Sequence, residues 1–184
     1  MRDYREFLKG TLISEEQLRA RIIELGAQIS RDYAGMNPVL VCILRGGVVF
    51  LTDLMRAIES PHEIEFMAVS SYGKGGRASD GNVRITFDLT ISIHERHVLI
   101  VEDIIDSGYT LAEVVGLLSA RHPASLAVCT LLDKAERREV FVPVKYCGFV
   151  IPNEFVFGYG LDIDGYYRNL PFIGSVDLER FTPE

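Results

Sequence analysis

Apolar positions along this chain change period several times, and each change marks an element. From Ser14 to Tyr33 they recur at helical spacing, with Leu18, Ile22, Leu25 and Ile29 on one face. Ser14 followed by Gln17 is a capping-box pattern, and Asn37-Pro38 ends the helical run. Val39 to Ile43 is apolar without alternation, as expected of a strand buried on both faces. Leu44-Arg45-Gly46-Gly47 reads as a turn, and Val48 to Glu59 returns to helical spacing before Pro61. Glu63 to Ser70 is strand-like, with Ile64, Phe66 and Ala68 alternating against more polar neighbours. Ser71 to Asn82 holds four glycines among small and polar residues, so a mobile loop is expected there. Val83 to Leu89 alternates and suits a hairpin partner.

The second half repeats the theme. His97 to Val101 predicts a buried strand that stops at Glu102-Asp103, followed by a short loop and a helix from Thr110 to Arg121. Ser125 to Leu132 and Tyr146 to Val150 predict two further parallel strands, whereas Pro152 to Phe172 is rich in aromatics and glycine and has no period. Strands alternating with helices imply an α/β fold, a mostly parallel sheet flanked by helices on both faces. Ligands of such sheets bind beyond the carboxyl ends of the strands. The segments at 44–47, 102–110 and 132–134 all follow apolar strands, so they are expected to converge on one rim.

Composition narrows the function. A chain of 184 residues, 48% hydrophobic and 24% charged, fits a single domain with a real core. The formal net charge of -7 argues against a broad nucleic-acid surface. Lys134, Arg137 and Arg138 do cluster, but Glu136 and Glu139 dilute them. No apolar run is long enough for a membrane span, and Met1 to Glu6 is too charged for a signal peptide. Cys42, Cys129 and Cys147 show no metal or redox spacing and read as buried thiols, which suits a cytoplasmic protein. The four histidines match no catalytic spacing.

The chemistry concentrates between Glu102 and Thr110. The loop from Asp106 to Thr110 offers backbone N–H groups, a helix N-terminus, the Ser107 and Thr110 hydroxyls and the close approach that Gly108 permits, all of which favour a phosphate. The same residue types also make an ordinary capped turn. Two carboxylates at the end of a buried strand, Glu102 and Asp103, are costly unless paired, and a ribose diol or a Mg2+ ion would pair with them.

The run Val98 to Leu111 resembles the phosphoribosyl-pyrophosphate signature of type I phosphoribosyltransferases, and Glu-Asp-Ile-Ile-Asp-Ser-Gly resembles the hypoxanthine-guanine members in particular. Leu44-Arg45-Gly46-Gly47 is similar to the family's pyrophosphate loop, where a non-proline cis peptide is usual, here Leu44–Arg45. Ser71-Tyr72 opens a segment like its flexible flap. Leu131 to Lys134 resembles the segment with the purine-binding lysine, and Glu154 to Asp162 the hood that stacks the base. The resemblance runs from about Val39 to Ile173, and implies one domain over 1–184. Its core would span about 35–150. A small hood over the base site would come from about 151–175 and the N-terminal segment.

The resemblance also implies roles. Glu102 and Asp103 would bind ribose hydroxyls, directly or through Mg2+, with Ile104 and Ile105 beside them. Asp106 would accept the purine N7 proton. Asp106, Ser107, Gly108, Tyr109 and Thr110 would hold the 5'-phosphate. Lys134 would donate to the C6 oxygen, Phe155 would stack on the base, and the Val156 backbone would meet its other edge. Asp162 would hold a second Mg2+, and Arg45, Gly46 and Arg168 the pyrophosphate. Tyr109 and Arg45 stand where relatives carry lysine. The implied activity is purine salvage: transfer of a phosphoribosyl group from phosphoribosyl pyrophosphate to N9 of hypoxanthine, and of guanine. A xanthine-preferring enzyme and, against the net charge, an RNA-binding regulator are the alternatives. A homodimer or homotetramer is expected.

Overall fold

The computed structural model describes residues 3–71 and 83–181. Three helices and nine strands are named here in chain order. A short antiparallel strand, β1 (Leu8–Ile13), precedes helix α1 (Glu15–Asp32). Ser14 caps α1 as a full capping box: its hydroxyl accepts from Gln17 N at 3.3 Å, and Gln17 Oε1 accepts from Ser14 N at 2.8 Å. Leu18, Ile22, Leu25 and Ile29 are buried, as their spacing requires. Strand β2 (Val39–Leu44), helix α2 (Gly47–Ala57), β3 (Glu63–Ser71), β4 (Val83–Phe87), β5 (His97–Ile105), helix α3 (Tyr109–Ser119), β6 (Ser125–Asp133) and β7 (Tyr146–Val150) follow.

Six of these strands form one sheet in the order β4-β3-β2-β5-β6-β7. All neighbours in it are parallel except β3 and β4, which pair antiparallel from Ala68↔Phe87 to Ser71↔Val83. The antiparallel edge strand is the hairpin partner that its alternation predicts. One face of the sheet packs on α1 and α2 through Leu40, Cys42, Leu99, Val101 and Leu131. The other packs on α3, where Leu111, Val114 and Leu118 meet Val41, Ile43, Val98 and Ile100. Two-sided burial explains the absence of alternation in β2 and in the first half of β5. No helix among the described residues is long and apolar enough to cross a membrane.

Two differences from the expected elements matter. First, β5 does not stop at the acids but runs through Glu102 and Asp103 to Ile105, because β6 keeps pairing with it at Glu102↔Thr130, Ile104↔Leu132 and Ile105↔Asp133. On its other side β2 pairs only as far as Cys42↔Val101, so the acids lie where the sheet is open along one edge of β5. Second, the aperiodic tail contains strands β8 (Val156–Phe157) and β9 (Ile173–Val176), which join β1 in a separate antiparallel sheet, order β1-β9-β8. Its aromatic core unites Tyr4, Phe7, Phe157, Tyr167 and Phe181. Of the expected 71–82 loop only Ser71 is described, where it ends β3; Tyr72 and the rest lie outside the described residues.

Candidate functional site

The rim at the carboxyl ends of β2, β5 and β6 is built around a glycine. At Gly46, in the turn between β2 and α2, a Cβ atom would lie 1.5 Å from Asp103 Oδ2, so no larger residue coexists with this placement of Asp103. The peptide Leu44–Arg45 in the same turn is cis, and Arg45 is exposed. Asp103 is 9% exposed, and its Oδ1 accepts from Ile104 N at 2.8 Å. Burial raises the Asp103 carboxyl above its usual range, against the pull of its hydrogen bonds and of the Arg168 charge. Burial and then the Asp103 charge push Glu102 well above it. Beneath them burial, helped by the two acids, pushes the Cys42 thiol up to about 12, so it stays protonated.

Two adjacent acids that resist ionising together are a place for a cation or for hydroxyl donors. Their oxygen-only chemistry fits Mg2+, which binds through one or two carboxylates plus water and phosphate rather than in a full protein cage. No cluster of three ligating side chains forms among the described residues.

The phosphate-loop candidate follows directly. Gly108 takes φ +94° and leads into α3, whose first turn has no side-chain cap. A Cβ at Gly108 would come within 2.6 Å of Val140 O and 2.9 Å of Arg138 Cδ. Ser107 O accepts from both Glu139 N, at 2.9 Å, and Val140 N, at 3.1 Å. The loop is thus braced from behind by residues 138–140, and with residues 102–105, Thr110, Leu111 and Val114 it lines a cavity of about 210 Å3, where uncapped N–H groups of a helix N-terminus suit an anion. Tyr109 is partly buried and Thr110 exposed. A larger cavity, about 670 Å3, lies instead between α1, α2 and residues 168–171, away from the phosphate loop.

Lys134 follows β6 and is 7% exposed, tied by its N–H to Ile105 O at 2.9 Å. Its ammonium meets Asp106 Oδ2 at 3.1 Å, and Arg137 Nε meets Asp106 Oδ1 at 3.0 Å. Burial opposes the Asp106 charge, but hydrogen bonds from Arg137 and Lys134, and their charges, outweigh it and hold this carboxyl below the usual range. Arg138 pairs with Asp133 at 2.5 Å, and its Nε is buried without a partner.

The segment expected to form the hood carries the remaining candidates. Val156 is buried in β8, while Phe155 before it is 46% exposed, an unusual position for a large aromatic. Asp162 Oδ1 pairs with Arg168 at 2.7 Å, and its Oδ2 accepts from Gly165 N at 2.7 Å. Arg168 also donates to Gly160 O at 2.6 Å. Gly160, at φ +97°, approaches so closely that a Cβ there would lie 2.2 Å from Gly46 O. Tyr159 OH donates to Asp53 Oδ2 of α2 at 2.5 Å.

The structure therefore links Gly46 to Asp103 and Gly160, Gly160 to Arg168 and Asp162, and Asp106 to Lys134. It leaves Arg45 and Phe155 exposed on the surrounding loops. Arg137, Asp133, Arg138, Asp53 and Tyr159 join these contacts without a role expected from the sequence. The basic cluster at 134–138 signalled Arg137 and Arg138; nothing in the sequence signalled the other three.

The model of the phosphoribosyl transferase domain matches residues 12–164. The chain is 56% identical over 172 residues to the hypoxanthine phosphoribosyltransferase of Haemophilus influenzae, covering 92% of this chain and 96% of that protein. It is 51% identical over 176 residues to the hypoxanthine-guanine phosphoribosyltransferase of Mycobacterium avium, covering 92% and 86%. A crystal structure of a hypoxanthine phosphoribosyltransferase from Staphylococcus aureus superposes with a TM-score of 0.92 at 46% identity, covering 96% of this chain and 95% of that one.

Proposed function

The chain belongs to the phosphoribosyl transferase family, and on that premise we propose that it is a purine salvage enzyme that converts hypoxanthine, and guanine, to the 5'-monophosphate. The single observation that carries the reading is the buried Lys134 ammonium held against Asp106 at 3.1 Å, beside an uncapped phosphate-type loop. It puts a donor suited to a purine C6 oxygen and an acceptor suited to N7–H side by side.

The roles follow from that pair. The N–H groups of residues 107–110 and the Ser107 and Thr110 hydroxyls bind the 5'-phosphate. Glu102 and Asp103 bind the ribose hydroxyls, with Ile104 and Ile105 forming the wall between them and the loop. Lys134 donates to the C6 oxygen, Phe155 stacks on the ring, and the Val156 backbone meets the opposite edge. As N9 forms its bond to the anomeric carbon, the bond to pyrophosphate breaks, and the N7 proton, made acidic by that attack, passes to Asp106. Arg168, Arg45 and the Gly46 backbone hold the departing pyrophosphate. Glu102 and Asp103, and separately Asp162, would hold Mg2+ ions that neutralise charge on the leaving group.

The chain acts as one domain with its hood. A homodimer or homotetramer fits the apolar groove between α1 and α2, where Ile23 is 58% exposed. Three free thiols suit the cytoplasm.

A spectrophotometric assay with phosphoribosyl pyrophosphate, Mg2+ and each of hypoxanthine, guanine, xanthine and adenine tests the proposal. Hypoxanthine turnover with little xanthine reaction is expected. Dominant xanthine turnover would move the specificity, and no turnover of any purine in a folded, Mg2+-replete sample would overturn the reading.

A further inference from the structure

The acid proposed to take the purine proton has two cationic partners, and only one of them is accounted for. Lys134 must turn toward the C6 oxygen when a base enters, and it then leaves Asp106 Oδ2. Arg137 has no such duty. Its Nε stays on Oδ1 at 3.0 Å. Both cations come from one short element: Lys134 N is fixed to Ile105 O at 2.9 Å, and a 3-10 turn over Ala135–Arg137 returns Arg137 N to Lys134 O at 2.9 Å. The turn sets one cation against each carboxylate oxygen. An exposed arginine meeting an acid by chance usually does so from a flexible stem and contributes little. Here the stem starts on a turn anchored to the end of β5, and the contact uses Nε, the nitrogen nearest that stem.

We infer that Arg137 is a positioning residue for the proton acceptor: it clamps Asp106 Oδ1 and fixes the carboxylate plane, so that Oδ2, released by Lys134, is the oxygen that receives the N7 proton. The inference rests on the proposed role of Asp106. In the reacting complex the N7–H bond breaks, its electron pair returns to the ring, and the proton moves to Oδ2 while Arg137 remains on Oδ1. The other charges nearby do not substitute for it. Arg138 is committed to Asp133, Glu136 and Glu139 flank Arg137 on the exposed side, and Glu102 and Asp103 precede Asp106 on β5. Without Arg137, an Asp106 deserted by Lys134 keeps no cation among its described partners, and both its orientation and its ionised form are less well held.

The test uses Arg137→Gln and Arg137→Lys in the full-length enzyme, each with a melting curve. The first readout is the pH profile of kcat/KM for hypoxanthine. The second is the titration of the Asp106 carboxyl by 13C NMR in the free protein, which needs no turnover. Arg137→Gln is expected to lower kcat roughly tenfold, well short of the 10²–10⁴-fold supplied by a general base itself. Both KM values should stay within about twofold, and the acid limb and the NMR titration should both move to higher pH. Arg137→Lys should recover part of each effect, since it restores a cation without the planar fork. An unmoved acid limb together with an unmoved carboxyl titration would overturn the clamp. So would a large rise in KM for phosphoribosyl pyrophosphate with no pH shift, which would make Arg137 a substrate ligand. A moved carboxyl titration with kcat unchanged would also overturn the positioning role. Failure of Asp106→Asn to reduce turnover would instead sink the proton-acceptor reading itself, so the two failures are distinguishable.

Discussion

Replacing Lys134 with methionine separates what this lysine does for the fold from its proposed contact with the base. The side chain is 7% exposed, so its ammonium has given up most of its hydration, at a cost of several kcal/mol. Its return is attraction to Asp106 at 3.1 Å, about 5 kcal/mol at an effective dielectric near 20 and less where water reaches the pair. Asp106 is 44% exposed and keeps Arg137, so losing Lys134 does not strand a buried charge. Methionine has a similar volume and fills the same space without desolvation. The two effects nearly cancel, and the net change in stability is expected within about 1 kcal/mol, a Tm shift of about 2–4 °C for a domain this size. Base binding has no such compensation. A charge-assisted hydrogen bond to the C6 oxygen is worth about 1.5–3 kcal/mol, which is roughly 10- to 150-fold in KM for hypoxanthine. KM for phosphoribosyl pyrophosphate should change by less than about threefold if, as proposed above, Lys134 contacts the base and not the phosphates. The assay is a steady-state matrix varying each substrate, with a calorimetric melt. A Tm loss beyond about 10 °C would make Lys134 a structural residue, and equal KM losses for both substrates would remove it from the base site.

Other outcomes follow from the same geometry. Asp106→Asn should cut kcat by roughly 10²-fold or more while nucleotide affinity, measured by titration calorimetry, survives; near-full activity would refute the acceptor role. Gly46→Ala places a Cβ 1.5 Å from Asp103 Oδ2 and should abolish turnover of phosphoribosyl pyrophosphate with the fold retained, read by activity alongside circular dichroism. Because its two cations hold Asp106 low, its contribution to stability is complete above the unfolded carboxylate value of about 3.9 and is lost as pH falls through the lower folded value. The Tm difference between wild type and Asp106→Asn should therefore close only below about pH 4; closure at pH 5 or above would mean the ion pairs do not form in solution.

Much of the fold is written in periodicity, because β2, β5 and β6 are buried on both faces and the helices on one. Leu18 to Ile29 and Val98 to Val101 carry that signal without ambiguity. The hood is different. Its sheet joins Leu8 to Val176 and Phe157 to Gly174, and β8 has only two residues, too few to show a period. Strand β5 illustrates a second limit. Carboxylates read as a strand end, yet pairing with β6 carries the backbone on, since a ladder on one side suffices when the other side opens on a site. Spacing put the candidate residues on strand-end loops, but it could not reveal which of them neutralise one another. The pairing of Asp162 with Arg168 crosses a tight turn, and that of Asp106 with Arg137 needs the 3-10 turn to double back. Both depend on backbone paths that local composition does not encode.

The contact of Gly160 with Gly46 has a consequence for how this protein could change. Asp103, Gly46, Gly160 and Arg168 form a chain in which the two middle members are glycines packed Cα against backbone or carboxylate, with no rotamer between them to absorb a shift. Such a joint behaves as a rigid coupling. Residues 158–168 can be exchanged between relatives only together with a turn that preserves the glycine facing them, whereas Phe155, outside the joint and half exposed, is free to vary alone. If Phe155 stacks on the base as proposed, selection for a new base is then least constrained at this rim. The side of the joint, which the proposed reading assigns to pyrophosphate, would be constrained by the half of the reaction that every base has in common.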